Sequence, residues 1–246
     1  PSGYLGVDIF FVISGYVITA SLSRRKEKNL WVFISGFYER RIKRLVPALV
    51  FFVLVLSLLI CFFNPYPGFS LITGITSLLG ISNLYLFKES TDYFAQSTEM
   101  NVFTHTWSLG VEEQFYFIFP FLIWFSGFNR QTKKGLKNYI FIILFLTIVS
   151  LIAFIYFYSK NQPAAYFLMP TRFWEITTGS LVFLAIKYKK NFLKNIEIVS
   201  APIVILSMVI IMYLPVNKAI FSTISIVFLT SLLLICLKKG KLGFNF

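Results

Sequence analysis

Long apolar runs constrain the fold of this chain more than any other feature of its sequence. They lie at positions 5–22, 46–63, 138–158, 196–214 and 219–237, and two more follow His105 and Arg172. A helix needs about 20 apolar residues to cross a bilayer. The chain is 57% hydrophobic and only 13% charged, which is far from a soluble globular domain. The sequence therefore predicts an all-α, polytopic transmembrane helical bundle with about seven spans.

Basic residues concentrate in short segments between the apolar runs. Nineteen of the 23 Lys and Arg residues lie at positions 24–44, 130–137, 187–194 and 238–241. Cytoplasmic loops of membrane proteins carry an excess of Lys and Arg, so we assign these four segments to the cytoplasm. Topology explains most of the net charge of +13, which therefore gives no indication of nucleic acid as a partner.

The segment 70–87 is apolar enough to cross a membrane, but it contains two glycines and several Ser, Thr and Asn residues. The basic segments on either side of it are both assigned to the cytoplasm, so an even number of crossings has to separate them. The run at 46–63 and the run after His105 already supply two. We therefore expect 70–87 to be re-entrant or interfacial and to line a cavity.

Cysteine and histidine are scarce in this chain. Cys61 and Cys236 each lie inside an apolar run, which predicts neither a disulfide framework nor a metal site. His105 is the only histidine, so a zinc enzyme is set aside and no metal is expected.

The single histidine leads directly into two carboxylates and then into an apolar run. Residues 105–117 read HTWSLGVEEQFYF. On a helix His105 and Glu112 would lie about two turns apart on one face, with Glu113 roughly 100° further round. Carboxylates at membrane depth are costly and normally face a partner or a water-filled cavity. We predict that these three residues and Gln114 form the polar wall of a functional site.

A second charged cluster precedes the run at 46–63. On a helix Arg40, Lys43 and Arg44 share a face, with Arg41 beside them. We expect the segment 23–45 to be cytoplasmic. The cluster either neutralises anionic lipid headgroups or holds the phosphates of a cytosolic ligand, and the residues alone favour the lipids.

Two further sets of charges lie near the ends of apolar runs. Asp8 either complements a helix N-terminus or has a functional role. Arg172 and Glu175 form an i,i+3 pair, which either satisfies itself as an ion pair or contributes to the site. If Glu112 and Glu113 are structural, we expect Arg172 to be their partner.

Four stretches in the order GVDIFFVISG (6–15), RRIKRLVP (40–47), HTWSLGVEEQ (105–114) and RFWE (172–175) resemble the membrane acyltransferase-3 family. This family comprises the bacterial integral-membrane O-acyltransferases that acetylate lipopolysaccharide O-antigen, peptidoglycan and other envelope glycans. The resemblance covers essentially the whole chain. It implies one membrane-embedded acyltransferase domain over residues 1–246 in the bacterial inner membrane, and we expect that domain to be incomplete at both ends.

The resemblance implies a cytoplasmic acyl-CoA donor, typically acetyl-CoA, and an envelope glycan as the acceptor. It favours the phosphates of CoA over lipid headgroups as the ligand of Arg40, Arg41 and Arg44. The candidate catalytic residues are His105, Glu112, Glu113, Arg172 and Glu175. The family also implies an arginine and a catalytic histidine on a first membrane helix, which we expect upstream of residue 1, so His105 is not assigned the role of that base.

A membrane transporter or flippase without covalent chemistry is the alternative. Carboxylates at membrane depth and a broken segment are also typical of ion-coupled carriers. The apolar pattern shows no convincing internal repeat, and the carboxylates cluster on one predicted helix, which favours the acyltransferase.

Overall fold

The structure, a computed structural model, describes residues 3–25, 27, 29–91, 101–188 and 200–239, with the backbone alone at 216, 238 and 239. Its helices are α1 (Tyr4–Ser23), α2 (Leu30–Phe63), α3 (Gly68–Leu78), α4 (Ser82–Thr91), α5 (Trp107–Ser126), α6 (Lys133–Lys160), α7 (Gln162–Phe167), α8 (Met169–Tyr188), α9 (Ala201–Met212) and α10 (Ala219–Lys239). The predicted all-α helical bundle is confirmed.

Four helices in the described ranges are long and apolar enough to cross a membrane: α1, α2, α6 and residues Ala219–Leu237 of α10. The helices α5 and α8 each have 20 residues, about 30 Å of helix, and carry predicted site residues. The predicted span at 196–214 is described from residue 200 onward, and α9 begins at Ala201. Much of the basic segments 187–194 and 238–241 lies outside the described residues.

The parallel helices α1 and α8 form the closest contact in the bundle. A Cβ atom at Gly15 would overlap the carbonyl oxygen of Ile176, and one at Gly179 would overlap that of Val12. Small residues allow membrane helices to approach backbone to backbone in this way. The hydroxyl of Thr19 also donates to that of Ser180 at 2.8 Å. This contact fixes the two helices in register and places Asp8 of α1 beside the first turns of α8.

The segment 70–87 is broken into α3 and α4 by a turn at Gly80, whose φ of +69° is easy only for glycine. Its polar residues hold it against the start of α5: the hydroxyls of Ser77 and Thr106 lie 2.6 Å apart, and Ser82 donates to the Thr106 carbonyl at 2.9 Å. Neither short helix has the length of a span. This geometry agrees with a re-entrant segment, whose position relative to a bilayer stays a prediction.

The helix α2 begins at Leu30 and continues through Pro47, so most of the segment 23–45 is continuous with the predicted span at 46–63. The cytoplasmic position of this segment stays a prediction. The first half of α2 packs along α5, with Phe33 against Trp124 and Phe37 against Tyr116 at centroid distances of 5.6 and 6.3 Å. The apolar residues of this half recur at helical spacing and form a buried face. The basic cluster therefore lies beside the middle of α5, and not beyond its end.

Candidate functional site

A cavity of about 220 Å³ lies between α2, the end of α3 and α5, at the level of the paired carboxylates. We call it the Arg41–Glu113 cavity after two of its lining residues. Apolar side chains form much of its wall, and four polar residues complete it: Tyr38, Arg41, Glu113 and Tyr116. Polar groups converging in an apolar cavity are typical of a small-molecule site.

Arg41 is the member of the basic cluster that lines the cavity. Its guanidinium carbon lies 4.5 Å from the centroid of the Tyr116 ring, and its Nη1 donates to the Tyr116 hydroxyl at 3.5 Å. Such a cation–π contact stabilises a partly desolvated guanidinium. Arg40 and Arg44 are exposed on α2. The predicted cluster thus divides into one arginine at the cavity and two on the surface of the helix.

The two adjacent carboxylates occupy different environments. Glu112 is buried at 2% exposure and interacts with the hydroxyls of Ser14 on α1 and Tyr116. Its Oε1 has no hydrogen-bond partner within the described ranges. Glu113 is half-buried and lines the cavity. The charges of Arg41 and Arg44 act on Glu112. Of the two carboxylates, Glu113 is therefore the one that lines the cavity.

The turn between α3 and α4 packs directly against the Glu113 carboxylate. A Cβ atom at Gly80 would overlap Glu113 Oε2, so a larger residue would displace this carboxylate as well as strain the positive φ. Gln114 donates through Nε2 to Asn83 Oδ1 at 2.7 Å and lies 3.4 Å from the Gly80 carbonyl oxygen. The predicted amide beside the carboxylates therefore holds the broken segment in place.

A second charged cluster is fully buried between α1 and α8. Arg172 Nη1 lies 3.1 Å from Asp8 Oδ1 and 2.7 Å from Glu175 Oε1, and all three side chains are at most 3% exposed. We call this the Asp8–Arg172–Glu175 triad. The predicted Arg172–Glu175 pair is confirmed, and Asp8 joins it. With both carboxylates ionised the triad carries a formal charge of −1.

Aromatic rings surround the guanidinium of this triad. Its carbon lies 5.2 to 5.8 Å from the ring centroids of Tyr166, Phe154 and Trp107, and Nε donates to the Tyr166 carbonyl at 3.2 Å. Arg172 pairs with Asp8 and Glu175, so it is not available as the partner that Glu112 and Glu113 would need if they were structural.

His105 does not share a helix face with Glu112 as predicted. It lies in a 3-10 turn, Thr104–Thr106, and α5 begins only at Trp107. Its side chain is exposed, whereas that of Glu112 is buried. In the described part of the chain the histidine therefore belongs to neither charged cluster.

The helix α1 connects the two clusters, since it supplies Asp8 to the triad and Ser14 to the Glu112 carboxylate. Six residues of helix correspond to about 9 Å. Sequence reasoning leaves the role of Asp8 open and misses Ser14. The sequence signal for both is a polar residue within an apolar helix, but their partners lie far along the chain.

The family model described as an acyltransferase domain matches residues 1–243. The chain belongs to the acyltransferase-3 family. All four stretches that carried the resemblance lie inside this match, and both charged clusters come from them.

Curated relatives of this acyltransferase-3 chain include the O-acetyltransferase OatA of Staphylococcus aureus (strain NCTC 8325 / PS 47). The two are 31% identical over 200 residues, covering 80% of this chain and 33% of the relative. The peptidoglycan O-acetyltransferase OatA of Listeria monocytogenes serovar 1/2a is 33% identical over 181 residues, covering 72% of this chain and 28% of the relative. The acyltransferase-3 chain thus spans about a third of the relatives' length. No solved structure matches it.

Proposed function

We propose that this chain is the acyl-transfer domain of a membrane O-acetyltransferase that moves an acetyl group from acetyl-CoA to a hydroxyl of a cell-envelope glycan. The observation that carries the proposal is that Arg41 and Glu113 line one cavity in a chain of the acyltransferase-3 family. The names of the two relatives support an O-linked acetyl product, and that of the Listeria protein suggests peptidoglycan as the acceptor. We place the protein in the bacterial inner membrane.

The dimensions of the Arg41–Glu113 cavity suit the reactive end of the donor. Sites that enclose a whole drug-sized ligand measure about 300–1,000 Å³, so a cavity of about 220 Å³ would hold the acetyl thioester and part of its pantetheine arm. Arg41 would bind a donor phosphate or the thioester oxygen, since a guanidinium is a strong donor to both. The exposed Arg40 and Arg44 would hold phosphates farther out along α2.

The transfer breaks the C–S bond of the thioester and forms a C–O bond to the acceptor oxygen. The acceptor hydroxyl loses its proton during this exchange, and the departing thiolate gains one. Glu113 is the carboxylate on the cavity wall, so we place it at the proton of the attacking hydroxyl. The Arg41 guanidinium would stabilise the negative charge that develops on the thioester oxygen.

The test uses the full-length protein in detergent and follows release of CoA and acetylation of a peptidoglycan fragment. We expect Arg41→Ala to raise the apparent KM for acetyl-CoA about tenfold, because charged hydrogen bonds contribute about 1.5–3 kcal/mol. Lys43→Ala is the control, since it removes an exposed cation of the same cluster that pairs with Glu39 and is given no contact with the donor, and it should change the KM less.

An equal rise of the KM in both variants would show that the basic cluster attracts anions in general and does not bind the donor specifically. A wild-type protein that binds no acetyl-CoA, or that moves a solute across vesicles while the thioester stays intact, would overturn the proposal. The second of these results would support the transporter alternative.

A further inference from the structure

A second cavity lies beside Arg172 of the Asp8–Arg172–Glu175 triad and shares no lining residue with the Arg41–Glu113 cavity. Its volume is about 80 Å³, and Arg172 forms part of its wall. Aromatic and small residues from the ends of four helices form most of the remainder. We call it the Arg172 cavity. Gln162 on its rim is exposed, so the cavity reaches the protein surface.

The Arg172 cavity lies at one end of the helical bundle, and the basic segments lie at the opposite end. Tyr4 is the first residue of α1, Tyr158 lies two residues before the end of α6, and Ala219 is the first residue of α10. At their other ends, α1 is followed by Arg24 and α6 begins at Lys133. The excess of Lys and Arg in cytoplasmic loops therefore places the Arg172 cavity on the outer side.

The pairing of Arg172 selects against an anionic ligand. Asp8 and Glu175 already bind Nη1 of the Arg172 guanidinium, and neither of them lines the cavity. A phosphate or carboxylate entering the cavity would therefore meet an arginine whose charge is already neutralised, and the described wall residues include no other cation. An uncharged polar ligand needs no such counter-charge.

The remaining wall residues complement both kinds of surface of an uncharged sugar, its C–H groups and its hydroxyl groups. Phe154 and Tyr158 supply aromatic surface for C–H groups, and the Gln162 amide and Thr223 hydroxyl supply hydrogen bonds. Gln162 Nε2 lies 3.4 Å from the Tyr158 hydroxyl, which orients this pair. Burial raises the pKa of Tyr166, also on the wall, so its hydroxyl stays protonated and can act as a donor.

We propose that the Arg172 cavity is the subsite that binds an uncharged sugar residue of the acceptor glycan. This inference rests on the proposed function and deepens it by naming the acceptor site. A volume of about 80 Å³ admits a substituent of a few atoms, such as a hydroxymethyl or acetamido group, while the ring lies at the rim. Asp8, which pairs with Arg172, and Ser14, which interacts with Glu112, lie about 9 Å apart on α1.

The experiment measures binding of fluorescent chitopentaose and cellopentaose, two uncharged oligosaccharides, to the purified full-length protein. Tyr158→Leu removes the aromatic face and the hydroxyl, and Ala219→Leu fills the recess. We expect each to raise the Kd of at least one oligosaccharide about tenfold, the effect of losing one or two hydrogen bonds with their contact area. Tyr156→Leu is the matched control, because Tyr156 lies on the same helix, is 58% exposed and is not part of the cavity wall.

Acetyl-CoA binding is measured on the same samples, and gel filtration confirms that each variant is folded. We expect the acetyl-CoA affinity to stay unchanged in all three variants. Wild-type protein that binds acetyl-CoA but neither oligosaccharide would overturn this inference and leave the proposed function standing, as would wild-type sugar affinity in the folded cavity variants. If the protein bound sugar through this cavity but bound no acetyl-CoA, the sugar subsite would be supported and the proposed donor would be overturned.

Discussion

Arg172 Nη1 lies 3.1 Å from the Asp8 carboxylate, although 164 positions separate the two residues in the chain. This contact joins α1 to α8 through a buried charge, and Glu175 completes it from one turn further along α8. The triad contains one more carboxylate than it has cations. Replacing the single cation should therefore lower the stability of the protein more than replacing one of the two carboxylates.

We expect Arg172→Gln to destabilise the folded protein by about 3–5 kcal/mol, because it leaves two buried carboxylates without a counter-charge. Asp8→Asn should cost far less, since it leaves the neutral Arg172–Glu175 pair intact. Thermal unfolding in detergent, monitored by gel filtration, compares the two variants. Equal losses of stability would show that the charge balance of the triad does not govern its contribution.

The close contact of α1 with α8 gives a second prediction. Gly15→Ala and Gly179→Ala should each destabilise the bundle by about 1–3 kcal/mol, because the added methyl group overlaps a backbone oxygen that cannot move without separating the helices. Gly6→Ala is the control: it lies on the same helix with nothing within 4 Å of the added atom. It should be neutral or gain up to about 1 kcal/mol from helix propensity. Thermal unfolding of the three variants checks this, and a harmless Gly179→Ala would contradict the backbone contact.

The third prediction concerns the side of the membrane on which the broken segment begins and ends. In a protein lacking Cys61 and Cys236, we expect cysteines at positions 64 and 88 to react with an impermeant maleimide from outside, because both original side chains are exposed and 70–87 should not cross. A cysteine at position 134, in the basic segment that includes the start of α6, should react only after permeabilisation. Labelling of 64 and 88 from opposite sides would show that the segment crosses the membrane.

The sequence predicts those features of this protein that are local in the chain. Apolar runs of membrane length predict the helical bundle, and the i,i+3 spacing of Arg172 and Glu175 predicts their pairing, which the structure confirms. Glycines and polar residues predict the break in 70–87. Each of these depends on neighbours within a few turns of helix.

Contacts between distant segments could not be predicted in this way. Nothing near Asp8 in the sequence indicates that its cation would come from α8, since that depends on the glycine contact between the helices. The sequence does not reveal that α2 extends back to Leu30, because the charges at 39–44 obscure an apolar face whose residues at 33, 34 and 37 are buried. His105 was placed on the helix because the sequence carries no strong signal for a start at Trp107, where the structure shows no side-chain cap.

The last prediction separates the adjacent carboxylates, which the sequence treats alike. Glu113 lines the Arg41–Glu113 cavity and Glu112 does not. If Glu113 takes the proton of the acceptor, Glu113→Gln should lower kcat about 100-fold or more and leave the melting temperature unchanged. Glu112 acts through Tyr116, whose hydroxyl accepts a hydrogen bond from Arg41. We therefore expect Glu112→Gln to raise the KM for acetyl-CoA and to keep most of kcat.

Steady-state acetyl transfer by the full-length protein distinguishes these roles, with Glu39→Gln as the control. Glu39 is an exposed carboxylate on α2 that pairs with Lys43, so its loss should change neither kcat nor KM. A lower kcat for Glu112→Gln together with normal turnover for Glu113→Gln would exchange the assigned roles. Normal turnover in both variants would show that the carboxylates are structural, because glutamine keeps their shape and hydrogen bonds while removing the charge that acid–base chemistry requires.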